Sequence, residues 1–248
     1  MLAIPALDLR AGRSAGLAAG LAAGLAAGLA ALTERNESPG EEDPLQVAQT
    51  LLAAGFSRLH LTDVDAAMSQ GENREVIRDL LRQLPVPVQV GGGVREQEQL
   101  LELLDEGASH VVVGTRGVED PTWLRDQAAL APGQVLLALD LRGRRVMTRG
   151  GSHDSRRDVL DLIAELDSAE LAGVLLTTGA FGARMADAEL ALLEELVDLS
   201  PWPVIAKAVA SSLQDLRNLE ARGVSAVALE TSASWPTEPR IIAEEFGE

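Results

Sequence analysis

The sequence contains no cysteine, few histidines and far fewer basic than acidic residues. Without cysteine the chain forms no disulfide, binds no metal through thiolates and has no thiol nucleophile. The three histidines, His60, His110 and His153, are too scattered for a metal-binding spacing, so we expect no metal. The 21 Lys and Arg residues against 38 Asp and Glu give a formal net charge of −17. Such a field repels nucleic-acid phosphates and anionic lipids, and we expect neither as a partner.

A low-complexity segment, residues 15–32, repeats Leu-Ala-Ala-Gly in what would be the first loop of the fold. Its leucines and glycines each recur every fourth residue, at Leu17, Leu21, Leu25 and Leu29 and at Gly16, Gly20, Gly24 and Gly28. Each glycine costs an isolated helix about 1 kcal/mol relative to alanine. This favours a surface loop or frayed helix over a docked lid helix, and a membrane element is the least favoured alternative because the run is short and rich in Ala and Gly.

The rest of the chain alternates short aliphatic runs with longer amphipathic stretches, which is typical of βα units around a parallel sheet. The predicted strands are Leu2–Leu7, Arg58–Thr62, Val86–Val90, His110–Val113, Val135–Leu139, Gly173–Thr177, Val204–Ala206 and Ala226–Leu229. The predicted helices are Pro44–Ala54, Asn73–Leu84, Glu96–Glu106, Pro121–Ala131, Ser155–Leu166, Ala186–Leu199, Ser212–Arg222 and Pro239–Glu245. No linker divides them, so the pattern predicts one (β/α)8 TIM barrel over residues 1–248.

The two halves of the chain resemble each other, which favours a barrel built from two duplicated half-barrels. The segment Ala-Leu-Asp-Leu-Arg occurs at residues 6–10 and again at residues 138–142. Asp8 and Asp140 therefore end strands one and five, on opposite sides of the mouth where the active sites of such barrels lie. Two carboxylates across a mouth can divide acid and base work. The alternative is that each aspartate only caps a loop or pairs with an arginine.

Glycines follow the third and fourth predicted strands, as Gly91-Gly92-Gly93 and Gly114-Thr115. Backbone amides in such turns can approach a phosphate closely because no Cβ intervenes. We expect these five residues to form one phosphate cradle, although a glycine triplet can also serve only a tight turn.

The second half, which should carry a matching cradle, does not. At an offset of 116 residues the first glycine cluster corresponds to Lys207-Ala208-Val209, and Gly114-Thr115 corresponds to Glu230-Thr231. Glu230 would repel a phosphate, by roughly 3 kcal/mol per unit charge at about 5 Å and an effective dielectric of about 20. Lys207 could offset that repulsion or simply pair with Glu230. A substrate gripped by phosphates at both ends is therefore not favoured.

Several motifs together resemble the phosphoribosylformimino-aminoimidazole-carboxamide ribotide isomerase family of histidine biosynthesis. The segments that carry the resemblance are IPALDL at residues 4–9, LHLTDVD at 59–65, PVQVGGGVR at 87–95, VVVGT at 111–115 and ALD at 138–140. The resemblance implies an Amadori rearrangement, in which an aminoaldose bearing two phosphates becomes an aminoketose without a metal or organic cofactor. It implies that Asp8 is the general base, that Asp140 orients the substrate, and that Gly92, Gly93, Gly114 and Thr115 bind phosphate. It also implies a cytoplasmic protein, for which a monomer is plausible.

The chain departs from this family pattern in its second half. After strand six the family has a Thr-Asp pair whose aspartate is the general acid, whereas this chain has Thr177-Thr178, which we expect at the substrate site. The arginine of the family's first loop is replaced by Gly16. Three hypotheses stay open. The first is an isomerase, acting either on the family's own substrate by a weakened route or on a smaller sugar phosphate held by one phosphate only. The others are a non-catalytic barrel that acts as a binding or regulatory protein, and a lyase or synthase that uses Lys207 as a Schiff-base amine.

Overall fold

The computed structural model describes residues 1–15, 41–178, 186–207, 212–231, 235 and 237–247. Within them the strands are β1 (Leu2–Arg10), β2 (Arg13–Ala15), β3 (Glu41–Glu42), β4 (Leu59–Asp63), β5 (Val88–Gly91), β6 (His110–Val113), β7 (Val135–Arg142), β8 (Arg145–Thr148), β9 (His153–Asp158), β10 (Gly173–Thr178), β11 (Val204–Lys207) and β12 (Ala226–Glu230). The helices are α1 (Pro44–Ala53), α2 (Val64–Ala67), α3 (Arg74–Gln83), α4 (Gln97–Asp105), α5 (Thr115–Glu119), α6 (Pro121–Leu130), α7 (Val159–Leu166), α8 (Asp187–Leu199), α9 (Leu213–Ala221) and α10 (Pro239–Phe246).

Eight parallel strands close into a barrel. Strand β1 pairs with β4, and the pairing continues through β5, β6, β7, β10, β11 and β12, which returns to β1. The amphipathic helices between these strands bury their apolar faces against the outside of the sheet, and the predicted (β/α)8 barrel is confirmed.

Alternation along each strand sends side chains to two separate apolar cores. On β1, Ala3, Leu7 and Leu9 face the helices, whereas Ile4 and Ala6 face the inside of the barrel. The inner core is small and is built from Ile4, Ala6, Val112, Leu136, Leu175, Ile205, Ala226 and Ala228. Continuing the period of two, the next inward residue on β1 is Asp8, and on β7 it is Asp140. The register of apolar residues therefore directs both carboxylates to the barrel mouth.

The structure corrects one predicted helix and adds elements that were not predicted. The helix expected over Ser155–Leu166 is wrong in its first four residues, because β9 extends through Asp158. Asp158 then begins α7 by accepting a hydrogen bond from the Leu160 amide. Strands β8 and β9 form an antiparallel hairpin after β7, and β2 and β3 extend the first loop. The short helices α2 and α5 were not predicted either. Residues 16–32 lie outside the described part of the chain.

Candidate active site

A cavity of about 500 Å³ lies at the carboxyl ends of the barrel strands. Asp8, Asp140, Thr177 and Lys207 line it, together with the residues predicted to form a phosphate cradle, Gly91, Gly92, Gly93, Gly114 and Thr115. The structure therefore brings most of the predicted site residues to one cavity, of a size usual for small-molecule sites. The exception is Thr178, which pairs with Leu141 on β7 and whose side chain lies outside the described atoms.

Lys207, the only lysine in the sequence, ends β11 and lies between two carboxylates. Its Nζ is 3.2 Å from Glu230 Oε1 and 4.0 Å from Asp8 Oδ1. All three side chains are less than a fifth exposed. Asp8 Oδ1 is buried and accepts no hydrogen bond from any described residue. The ammonium group thus places a positive charge next to Asp8, the carboxylate for which the family resemblance implies a general-base role.

Asp140 lies on β7, and its Cα is paired with that of Thr177 on β10. Burial raises the pKa of Asp140 above its usual value, while the hydrogen bond with Thr177 and the charge of Lys207 act in the opposite direction. Burial has the larger effect, because the solvation that a carboxylate loses on burial exceeds what one hydroxyl and the charge of Lys207 restore. Asp140 therefore holds its proton more firmly than an exposed aspartate does.

The glycine cluster after β5 is required by close packing as well as by its position at the cavity. Gly92 has φ 103°, and a Cβ there would overlap the backbone of Asp63. Gly93 has φ 72°, and a Cβ there would lie 2.6 Å from Ala66 Cβ. The alternative that these glycines serve a tight turn thus has a definite basis, because they allow the chain after β5 to pass close to Asp63 and α2. Gly114 differs, since its nearest neighbour would be 3.9 Å from an added Cβ.

The β8–β9 hairpin reaches the predicted phosphate cradle. Its turn donates a hydrogen bond from the Arg149 amide to Thr115 Oγ1 over 2.8 Å, and Gly150 and Gly151 line the cavity. Arg149 has φ 55°, a left-handed conformation that is uncommon for a residue with a side chain. The hydroxyl of Thr115 is therefore partly used by the protein itself.

A polar chain inside the barrel was missed by the sequence interpretation. His60 is buried, Gln89 Nε2 donates to its Nδ1 over 3.1 Å, and its Nε2 lies 3.1 Å from Thr62 Oγ1. Burial, with the charge of Lys207, lowers the pKa of His60 to about 3. A neutral ring that accepts from Gln89 carries its proton on Nε2 and donates it to Thr62, which lines the cavity. Alternation along the strands places His60 on the same face as Thr62, and Gln89 on the same face as Gly91. This period of two could have predicted that both side chains lie inside the barrel.

Four arginines also line the cavity and were assigned no role from the sequence: Arg10, Arg95, Arg116 and Arg142. Arg10 and Arg142 stand two residues beyond Asp8 and Asp140, so the repeat and the strand period together could have found them. The guanidinium of Arg95 donates to the carbonyls of Ala66 and Ala67, which fixes α2 over the glycine cluster.

Some predicted features lie outside the described residues, namely Ala208, Val209 and residues 179–182. Across the described part of the chain, no three His, Asp or Glu side chains are grouped to hold a metal ion. No helix among the described residues is long and apolar enough to cross a bilayer.

Comparison with known proteins identifies the family. The model of a family described as histidine biosynthesis protein matches residues 2–233. A protein of Gemmatimonas aurantiaca is 42% identical over 248 residues, covering 100% of both chains, and one of Myxococcus xanthus is 35% identical over 224 residues, covering 90% of this chain and 89% of the relative. Both relatives are named 1-(5-phosphoribosyl)-5-((5-phosphoribosylamino)methylideneamino) imidazole-4-carboxamide isomerase. With its barrel and its paired aspartates, this chain belongs to the histidine biosynthesis protein family.

Proposed function

We propose that this chain is an aldose–ketose isomerase that converts an aminoaldose phosphate into an aminoketose phosphate, the reaction class of its named relatives. The observation that carries the proposal is that Asp8 and Asp140, equivalent residues of the two halves, line one cavity beside a glycine-rich turn. The family assignment favours this function over a non-catalytic barrel. The Schiff-base alternative is weaker, since Lys207 lies within ion-pairing distance of Glu230. As a biosynthetic enzyme of this kind, the chain would act in the cytoplasm.

The two aspartates differ in a way that suits the two proton transfers. Asp140, whose pKa burial raises, would give its proton to the ring oxygen of the sugar as the bond from that oxygen to C1 breaks and an imine forms. Asp8 would then remove the proton on C2, which gives an enolamine. Asp8 returns that proton to C1. As C2 becomes a ketone, the enol hydroxyl gives its proton to Asp140, which restores both aspartates, so no cofactor is consumed.

This assignment gives Asp140 a different role from the orienting one that the resemblance implies. The reason is that the family's acidic residue after the sixth barrel strand is Thr178 here. Thr177 would hold Asp140 in place, as its hydroxyl is hydrogen-bonded to that carboxyl group. The backbone of Gly92, Gly93, Gly114 and Thr115 would hold a substrate phosphate.

Turnover of the relatives' named substrate by the purified chain tests this function. We expect isomerisation by the wild type and a loss of about 10²-fold to 10⁴-fold in kcat for Asp8→Asn and for Asp140→Asn, since each removes one proton-transfer group without changing size. Asp126→Asn, outside the cavity, serves as the matched control. Full activity of Asp8→Asn would remove this residue from the mechanism, and an inactive wild type would favour the non-catalytic barrel.

A further inference from the structure

The β8–β9 hairpin brings one apolar residue directly beside Asp140. Strands β7 and β8 run antiparallel and are joined by Gly143 and Arg144, and this short connection fixes their register. In this register the Cα of Met147 is paired with that of Asp140. Directly opposed residues of an antiparallel pair lie on the same face of the sheet, with Cβ atoms about 5 Å apart. Met147 is therefore a neighbour of the carboxyl group that is assigned the proton donor's role above.

Alternation along both strands identifies the face on which these two residues lie. The adjacent pair, Leu141 and Val146, belongs to the apolar core between the sheet and the helices. Met147 and Asp140 therefore project to the opposite face, and both line the cavity. Met147 is only 8% exposed, so its side chain is packed within the protein. A thioether has no hydrogen to donate, and it cannot replace the water that it displaces from a carboxylate.

The hairpin is held in this position at both of its turns. At the turn between β7 and β8, the guanidinium of Arg144 donates to both carboxylate oxygens of Asp158, over 2.9 and 3.2 Å. At the turn between β8 and β9, the amide of Arg149 donates to Thr115 Oγ1 over 2.8 Å. Met147 lies between these two attachments, which fix its place on the cavity face.

Two polar side chains act on Asp140 in favour of its carboxylate form. Thr177 on β10 is hydrogen-bonded to it, and the charge of Lys207 on β11 lowers its pKa as well. On the hairpin, Arg145 shares the face of Met147, but it is half exposed and pairs with a carboxylate of β9. The other titratable or charged residues that line the cavity are Asp8, Arg10, His60, Arg95, Arg116 and Arg142. Since burial nevertheless raises the pKa of Asp140, the apolar side chains that exclude water from it determine its protonation.

We propose that Met147 is a positioning residue for proton transfer, which covers the Asp140 carboxyl group and keeps water from it, so that Asp140 enters the reaction as an acid. Met147 acts through Asp140 and not on the substrate. The two aspartates of the cavity thus have unlike neighbours, since Asp8 has the ammonium group of Lys207 at 4.0 Å, whereas Asp140 has a thioether beside it. The inference rests on the proposed isomerase function and adds to it the residue that prepares the proton donor.

Titration of Asp140 in the unliganded protein tests the inference without any turnover. Carboxyl carbon NMR follows the titration, and the Asp140 signal is assigned by its loss in Asp140→Asn. We expect Met147→Gln to lower the midpoint by at least about 0.5 in pH, because the amide can donate a hydrogen bond to the carboxylate. Met147→Ala should lower it as well, since the space that it opens admits water. Met147→Leu should keep the wild-type midpoint, because it preserves an apolar cover of similar size.

Met68→Gln is the matched control, since it makes the same substitution at another methionine that lines the cavity. Met68 is 53% exposed and lies close to Gly150 in the hairpin turn. The Asp140 midpoint should therefore be the same in Met68→Gln as in the wild type. An unchanged midpoint in both Met147→Gln and Met147→Ala, or an equal fall in Met147→Leu, would overturn the inference.

The pH profile of turnover separates this inference from the proposed function. In an active isomerase, the alkaline limb of kcat/KM for Met147→Gln should move to lower pH together with the NMR midpoint, which costs about threefold in rate above the limb, and Met147→Leu should restore it. An inactive wild type whose midpoint still falls in Met147→Gln would refute the isomerase and support the cover of Asp140. An active wild type with an unshifted limb and midpoint in Met147→Gln would refute the role of Met147 alone.

Discussion

Lys207 lies close to two carboxylates at the mouth and acts electrostatically on two further groups. Beyond its contacts with Asp8 and Glu230, its charge lowers the pKa of Asp140 and that of His60. The raised pKa of Asp140 is therefore a balance between burial and this ammonium group.

Removing the charge of Lys207 should shift that balance in a known direction. In Lys207→Gln the pKa of Asp140 rises further, because the neighbouring positive charge that favoured its carboxylate is gone. If Asp140 acts as the proton donor, the alkaline limb of the kcat/KM profile moves to higher pH, while Lys207→Arg leaves the limb near its original position. An unshifted limb in Lys207→Gln would mean that it reports another group.

Among the glycines that the structure describes, Gly92 is the one at which an added Cβ would lie closest to a neighbouring atom. Gly92→Ala should destabilise the protein by about 3 kcal/mol, because the added Cβ overlaps the Asp63 backbone. The control Gly133→Ala also has positive φ, at 69°, but meets nothing within 4 Å, so about 1 kcal/mol is expected. Urea unfolding measures both, and equal losses would argue against the overlap.

At the residue scale, the sequence located the aspartates well and explained the glycines less well. Asp8 and Asp140 were found because a repeat marks equivalent positions and strand ends have a fixed address in a barrel. The packing role of Gly92 and Gly93 could not be found, since their neighbour α2 is a four-residue helix with too little periodicity to predict. The charge of Lys207 acts on groups that are distant in sequence, and no pattern in the sequence reveals how close these groups lie in the fold.

At the element scale, the loop after β1 is tied to the loop after β4 by one buried amide. Asn73 Nδ2 donates to Asp63 and Asp65, and Asn73 Oδ1 accepts from the Gly12 amide over 2.7 Å. Hydrogen bonds from Ala11 and Asn73 in turn lower the pKa of Asp65. These contacts hold the end of β1, and hence Asp8, against the start of α3.

Asn73→Ala should therefore cost about 3 kcal/mol in unfolding free energy, because several buried polar groups lose their partner at once. Asn218→Ala on α9 removes one hydrogen bond to the exposed Gln214 and should cost less than about 0.5 kcal/mol. Denaturant titration of the two variants separates these outcomes. A loss of similar size in both would contradict the role of Asn73 in joining the two loops.

The β8–β9 hairpin shows why one element was misassigned. Residues 155–166 contain apolar positions at helical spacing, but those that fit lie from Val159 onward, and the residues before them are polar. Strand β9 is held by pairing with β8 rather than by its own apolar pattern. Pairing with β8 thus determined the conformation of these polar residues, whose own sequence favours neither a helix nor a strand.

At the scale of the whole molecule, the barrel was predictable because eight strands and eight helices alternate and share one register of inward residues. Its polar interior was not predictable, and it gives the fold a pH dependence. The pKa of His60 falls to about 3 in the folded state from 6.5, so below about pH 6.5 the unfolded chain binds a proton that the folded chain does not. Stability from this group is complete above that pH and is lost as the pH falls toward 3.

Between about pH 6.5 and pH 5 the loss should be about 1.5 kcal/mol, as one proton is taken up on unfolding. Burial also lowers the pKa of His110, which adds a loss of the same sign. Urea unfolding at the two pH values should therefore show a smaller loss in His60→Gln than in the wild type. Equal losses in the two proteins would mean that a group other than His60 causes the loss of stability.

Because Lys207 is the only lysine in the sequence, it can be modified selectively. Reagents that acylate primary amines react with the Nζ of Lys207 at the cavity and with the Met1 amino group beside Glu220. Mass spectrometry of partly acylated protein would thus report occupancy of the cavity as protection of one peptide, with the terminus as an internal standard on the same molecule.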